Sequence, residues 1–225
     1  MQRTRINGVF LKKGTMRQIS VILIFLTLSL INHKCEKQQD PEVNPLSCME
    51  RFSGRESHVQ DYILPFPAGK RYVLSQTCCN PDGGHSNQLA YDFAVYLGDT
   101  VCCMRSGIVR EMREDQPDDG GEITASNHNF IMIEHEDGTV AFYAHLMQNE
   151  VFVAVGSNVE QGQKIARSGN SGNTLNFPHL HVGLYEDYPP VETYDLPIEF
   201  KNADGPVDEY GRLIADSWYT ALDYH

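Results

Sequence analysis

The sequence predicts a mostly β domain. Three observations carry that expectation. Short runs of alternating apolar and polar residues recur from about Ile63 to Phe200. Gly and Asp turns separate them, and no long stretch keeps a helical period.

The elements follow in order. TyrAspPheAlaValTyr at 91–96 alternates, with Phe93 and Val95 on one side and Asp92 and Ala94 on the other. PheIleMetIle at 130–133 is a short apolar run, and ThrValAlaPheTyrAlaHis at 139–145 alternates again. Asp137-Gly138 between these two is a strong hairpin signal. HisLeuHisValGlyLeuTyr at 179–185 is a further strand, and LeuProIleGluPhe at 196–200 reads as one more at an edge. Ala215–Leu222 is expected to form a short helix. The folded domain is placed at 59–201, with 202–225 as a C-terminal extension and no internal repeat.

Hydrophobic content of 41% and charged content of 21% sit near globular averages, so the body is expected to fold rather than stay disordered. The net charge of −12 hides an asymmetry. Residues 1–35 carry six basic residues and no acid, which leaves 12 basic against 30 acidic residues in 36–225. So acidic a body repels nucleic acid, and no basic stripe with interleaved aromatics opposes that exclusion.

Ile19–Ile31 is an apolar run behind Lys12, Lys13 and Arg17, of signal-peptide length and short for a membrane span. Met16 offers a more compact start. Residues 1–35 are read as a signal or anchor and 36–58 as a polar tether containing Pro41 and Pro45. Cys35 follows the run and invites a lipidated anchor, although His33 and Lys34 are poor residues before a lipidation site. Each version exports the domain, to a periplasmic or extracellular place, and the membrane is met only through this N-terminus. Export permits disulfides. One bridge between the pairs Cys78/Cys79 and Cys102/Cys103 is one expectation, and buried free thiols are the other. A cysteine zinc site is disfavoured because no Cys-x-x-Cys occurs.

The chemistry lies in the histidines. His179 and His181, two apart in a strand pattern, leave the same face. Tyr143 and His145 have the same spacing, and His85 follows Gly83-Gly84 ahead of Asp92. Three His/Asp ligands with an open fourth position make a catalytic zinc site, and His85, Asp92 and one histidine of the 179/181 pair are the obvious trio. His58, His128, His135 and His225 are read as structural or exposed.

On these residues the chain resembles the lysostaphin-type (LytM-type) zinc metallopeptidases. The resemblance lies in HSNQLAYDFAVYLGDTVCCMRSGIV (85–109), FYAHL (142–146), VGSNVEQGQKIARSGNSGNT (155–174) and PHLHVGLY (178–185). It implies an antiparallel β-sheet groove with a hairpin shared with lipoyl-type domains, few short helices and zinc on the groove floor. It further implies His85, Asp92 and His181 as zinc ligands, and His145 and His179 as catalytic histidines that hold no metal. The longer spacing of His85 from Asp92, and Cys102 and Cys103 where small apolar residues are usual, depart from the shortest form of the family.

The implied activity is cleavage of peptide bonds in the stem or cross-bridge peptides of bacterial peptidoglycan by a monomeric enzyme. Zinc brings a bound water to a pKa of about 7, and without His-Glu-x-x-His the histidines are expected to handle its proton. Three other readings stand beside this one, the first a zinc peptidase that acts on a protein rather than on peptidoglycan. A zinc D-alanyl-D-alanine peptidase would leave His-x-His unexplained, and a non-catalytic LytM-type domain that binds or activates wall hydrolases is expected to have lost ligands.

Overall fold

The computed structural model describes residues 48–50, 61–80, 84–121, 127–190 and 195–224. Met16, the apolar run Ile19–Ile31, Cys35 and His58 lie outside them. No described helix is long and apolar enough to cross a membrane.

Twelve strands are described: β1 (Arg71–Gln76), β2 (Tyr91–Ala94), β3 (Thr100–Cys102), β4 (Gly107–Arg113), β5 (Phe130–Glu134), β6 (Val140–Ala144), β7 (Leu146–Val151), β8 (Asn158–Val159), β9 (Lys164–Ser168), β10 (His179–Tyr185), β11 (Ala203–Asp204) and β12 (Ser217–Ala221). Nine form one sheet in the order β11-β12-β1-β2-β10-β6-β5-β4-β8, and β3-β9-β7 form a second. The strand pairings are antiparallel throughout. Helix among the described residues is confined to 48–50. The predicted mostly β, antiparallel class is what the chain adopts.

The Asp137-Gly138 turn joins β5 to β6 as expected. Gly138 takes φ 87°, a left-handed conformation that costs glycine little. The His135 N–H donates to the Thr139 carbonyl at 2.8 Å and closes the hairpin. One apolar cluster draws on both sheets, from Leu74, Phe93, Leu180 and Tyr143 of the large sheet to Val101, Leu146 and Ile165 of the small one.

Three expectations are corrected. Residues 215–222 are not helical: Ser217–Ala221 is β12, which pairs with β1 from Arg71↔Thr220 to Leu74↔Ser217. Trp218, Tyr219 and Thr220 are aromatic or β-branched residues that suit a pleated strand, with Tyr219 buried and Trp218 half exposed. Residues 196–200 form no strand; the isolated bridges here are at Asp195, just before them, and at Phe200, their last residue. The cysteine pairs are not bridged to one another. Cys79 bonds to Cys48, 31 residues away, while Cys78, Cys102 and Cys103 are free and buried. Cys79 is thereby spent on a partner from the segment read as a tether. The three remaining thiols act as small apolar groups, and burial pushes Cys102 up to about 11 and Cys103 to about 12.

Candidate active site

Register builds the site. β10 lies between β2 and β6, with His181 opposite both Asp92 and Ala144, and His179 opposite Ala94. Directly opposed residues share a face, so Asp92, His179 and His181 emerge together while Phe93, Leu180 and Val182 enter the core.

His145 reaches this face by a different route. Strict alternation would send it with Tyr143, which is fully buried and accepts the Met104 N–H at its hydroxyl. The shared face suggested by their two-residue spacing therefore does not hold. His145 follows the end of β6 with φ 62°, a left-handed conformation uncommon outside glycine and typical of strained functional positions. That turn carries its ring to 4.5 Å from the His179 ring.

Three donor atoms converge. His181 Nδ1 is 2.9 Å and His85 Nε2 is 3.3 Å from Asp92 Oδ1. The two histidine nitrogens are 3.2 Å apart. A tetrahedral ion with bonds of about 2.0–2.1 Å needs donors roughly 3.3–3.4 Å apart, so these side chains could hold such an ion with little movement. His85 and Asp92 are buried, and His85 Nδ1 has no partner among the described residues. Burial disfavours the Asp92 carboxylate, yet hydrogen bonds from His181 and His85 outweigh it and hold the group well below the usual carboxylate range. Burial likewise pushes His181 down, against the pull of Asp92.

The remaining two histidines are oriented by carbonyls. His145 Nδ1 lies 2.8 Å from the Ser171 carbonyl, and His179 Nδ1 lies 2.8 Å from that of Phe177. A carbonyl only accepts, so both Nδ1 atoms carry a proton. Burial, then the neighbouring His179 and His181, lowers His145 to about 3 and keeps it neutral. Ser171, within GlyAsnSerGlyAsn at 169–173, is tied down in turn. Its hydroxyl donates to the Leu146 carbonyl at 2.8 Å and accepts the Asn129 N–H at 2.9 Å. Gly169 belongs there because a Cβ would come within 2.5 Å of the Met147 backbone.

All five candidates, His85, Asp92, His145, His179 and His181, line one cleft of about 410 Å³. Gln76, Gln88, Thr174 and Phe177 line it too. His128, read from sequence as structural, borders the site with its ring 5.6 Å from that of His145. It lies two residues before Phe130, which pairs with Ala144 on the site face. That register, rather than any local pattern, is the signal that finds it. His135 lies away from the cleft, edge-on to Tyr62 and bonded to the Ser106 carbonyl at 2.9 Å.

Residues 86–193 match peptidase family M23. The chain is similar to the peptidoglycan DD-endopeptidase ShyA of Vibrio cholerae, at 31% identity over 124 residues. These are 55% of this chain and 26% of that protein. ShyB, a peptidoglycan DD-endopeptidase of the same organism, is 37% identical over 86 residues, 36% of this chain and 20% of its own length. The chain thus spans about a quarter of ShyA and a fifth of ShyB. Among solved structures, a zinc-containing peptidase from Vibrio cholerae aligns at 28% identity and a TM-score of 0.43, over 60% of this chain and 41% of that one. The catalytic domain of lysostaphin from Staphylococcus simulans aligns at 23% identity and a TM-score of 0.41, over 56% and 86%. With His85 immediately ahead of the matched stretch, residues 86–193 of this chain are a domain of peptidase family M23.

Proposed function

We propose that the chain is an exported zinc endopeptidase that hydrolyses peptide bonds in the stem or cross-bridge peptides of bacterial peptidoglycan. The observation that carries this reading is the triangle of His85 Nε2, Asp92 Oδ1 and His181 Nδ1 beside two carbonyl-anchored histidines. The relatives named as peptidoglycan endopeptidases support the substrate class.

In this reading His85, Asp92 and His181 hold the zinc. Zinc so held supplies Lewis acidity, which acidifies water and polarises a carbonyl. His145 and His179 supply the proton handling. Each accepts a proton at Nε2, and the resulting N–H can then donate to the developing oxyanion or to the departing amine. The Ser171 and Phe177 carbonyls fix the tautomer and ring angle, so neither imidazole has to reorient during turnover. The acidic body favours peptides that present free amines.

Incubating the zinc-loaded protein with cross-linked peptidoglycan tests the proposal. Mass spectrometry should follow cross-linked dimers becoming monomers, with a His145→Ala control left inactive, and the new termini name the bond. Dimers that persist while zinc is bound would instead favour a non-catalytic scaffold or a protein substrate.

A further inference from the structure

Gln76 belongs to neither the five candidate residues nor the matched family stretch, yet it touches the site directly. The ladder between β1 and β2 runs Val73↔Ala94 and Leu74↔Phe93, then slips, and Gln76 falls opposite Asp92. Two residues of β1, Ser75 and Gln76, therefore face one residue of β2, which is a β-bulge. Without the slip, Gln76 would follow Leu74, fully buried two residues earlier, onto the core side. With it, the side chain is turned to the face of Asp92.

The Gln76 Nε2 donates to Asp92 Oδ2 at 3.1 Å. A carboxylate only accepts, so the amide must present its N–H there. Asp92 Oδ1 is left to His181 Nδ1 and His85 Nε2, the other two corners of the donor triangle. The two carboxylate oxygens are thus divided, one hydrogen-bonded by the Gln76 amide with His179 Nε2 farther off at 3.7 Å, and one turned to the candidate metal. Ser75 takes no part in that division, because its hydroxyl donates to the Asp92 backbone carbonyl at 3.0 Å. The Gln76 Oε1 is buried with no partner among the described residues, and a Cβ added at Gly84 would meet it at 3.6 Å.

We propose that Gln76 is a positioning residue that holds Asp92 as a one-oxygen metal ligand, an inference that rests on the zinc reading above. Partners that hold a ligating carboxylate typically contribute 10–100-fold in metal affinity.

The test uses the full chain and zinc alone, in competition with a chromogenic chelator. Gln76→Met keeps the length of the side chain and removes the donor. Zinc affinity should fall roughly 10–100-fold, while the metal-free protein keeps its thermal midpoint. Cobalt substitution should report the geometry. The wild type should show the intense visible bands of a four-coordinate site, and Gln76→Met the weaker bands of a site in which both Asp92 oxygens reach the metal. Ser75→Ala should change neither readout. If Gln76→Met fails to fold, Gln76→Leu takes its place, with the same loss expected. Unchanged affinity and an unchanged cobalt spectrum in a folded variant would overturn the positioning role and leave the zinc reading standing. A wild-type protein that binds no zinc would overturn both.

Discussion

The strands β2, β10 and β6 carry two faces that share one ladder and obey opposite rules. On one, Phe93, Leu180, Val182 and Tyr143 are sealed in the core. On the other, Asp92, His179 and His181 crowd polar nitrogens and oxygens together, and the adjoining His85 Nδ1 and Gln76 Oε1 lack partners among the described residues. Buried polar atoms without partners are costly, so the apolar face supports the strain of the polar one. Core packing and the candidate site are thereby divided between alternating positions of the same few strands.

The largest break in this comparison should come from the apolar side. Phe93→Ala removes a fully buried ring and should cost about 3–5 kcal/mol, read as a shift of the urea midpoint with loss of zinc binding. A smaller shift together with retained zinc would mean that the core face does not hold the site. From the polar side, His145→Ala should cut turnover by about 10²–10⁴-fold and leave the urea midpoint within a fraction of that of Phe93→Ala. Full activity in this variant would remove His145 from the chemistry.

Acid should sharpen the contrast further. Burial lowers His145 to about 3 and both His128 and His135 to about 4. The unfolded chain takes up these protons near 6.5, so below that pH it binds more protons than the native state. Stability of the metal-free protein should therefore be full above about pH 6.5 and decline as the pH falls toward 4. Denaturant midpoints that stay flat across that window would contradict neutral burial of these rings. The smallest effect is expected near the sheet edge, one strand in from β11, where Trp218 on β12 is half exposed beneath Arg71 and its neighbour Tyr219 is buried. Trp218→Ala should cost no more than about 1 kcal/mol, measured by the same unfolding titration.

Much of this division is legible in the sequence, because it is local. Alternation at 91–96 and 179–185 and the Asp137-Gly138 turn need no knowledge of partners. What the pattern misses depends on distant pairing. Ser217–Ala221 becomes a strand because β1, nearly 150 residues earlier, offers an edge. The Cys48–Cys79 bond, the approach of His128 and the bulge that turns Gln76 likewise exist only once registers are set. His145 is a mixed case. Its place after the alternating run is visible, but the left-handed turn that moves it away from the face of Tyr143 is not.

The Cys48–Cys79 bond lies close in sequence to the candidate site. Cys79 stands six residues ahead of His85, and its cross-link closes a loop spanning 31 positions. Chain-entropy reasoning values such a closure at roughly 4 kcal/mol. Thiol-rich compartments withhold that contribution and oxidising ones grant it. Cys79 thus ties residue 48 of the N-terminal segment to the neighbourhood of the site by a covalent link that a reductant removes.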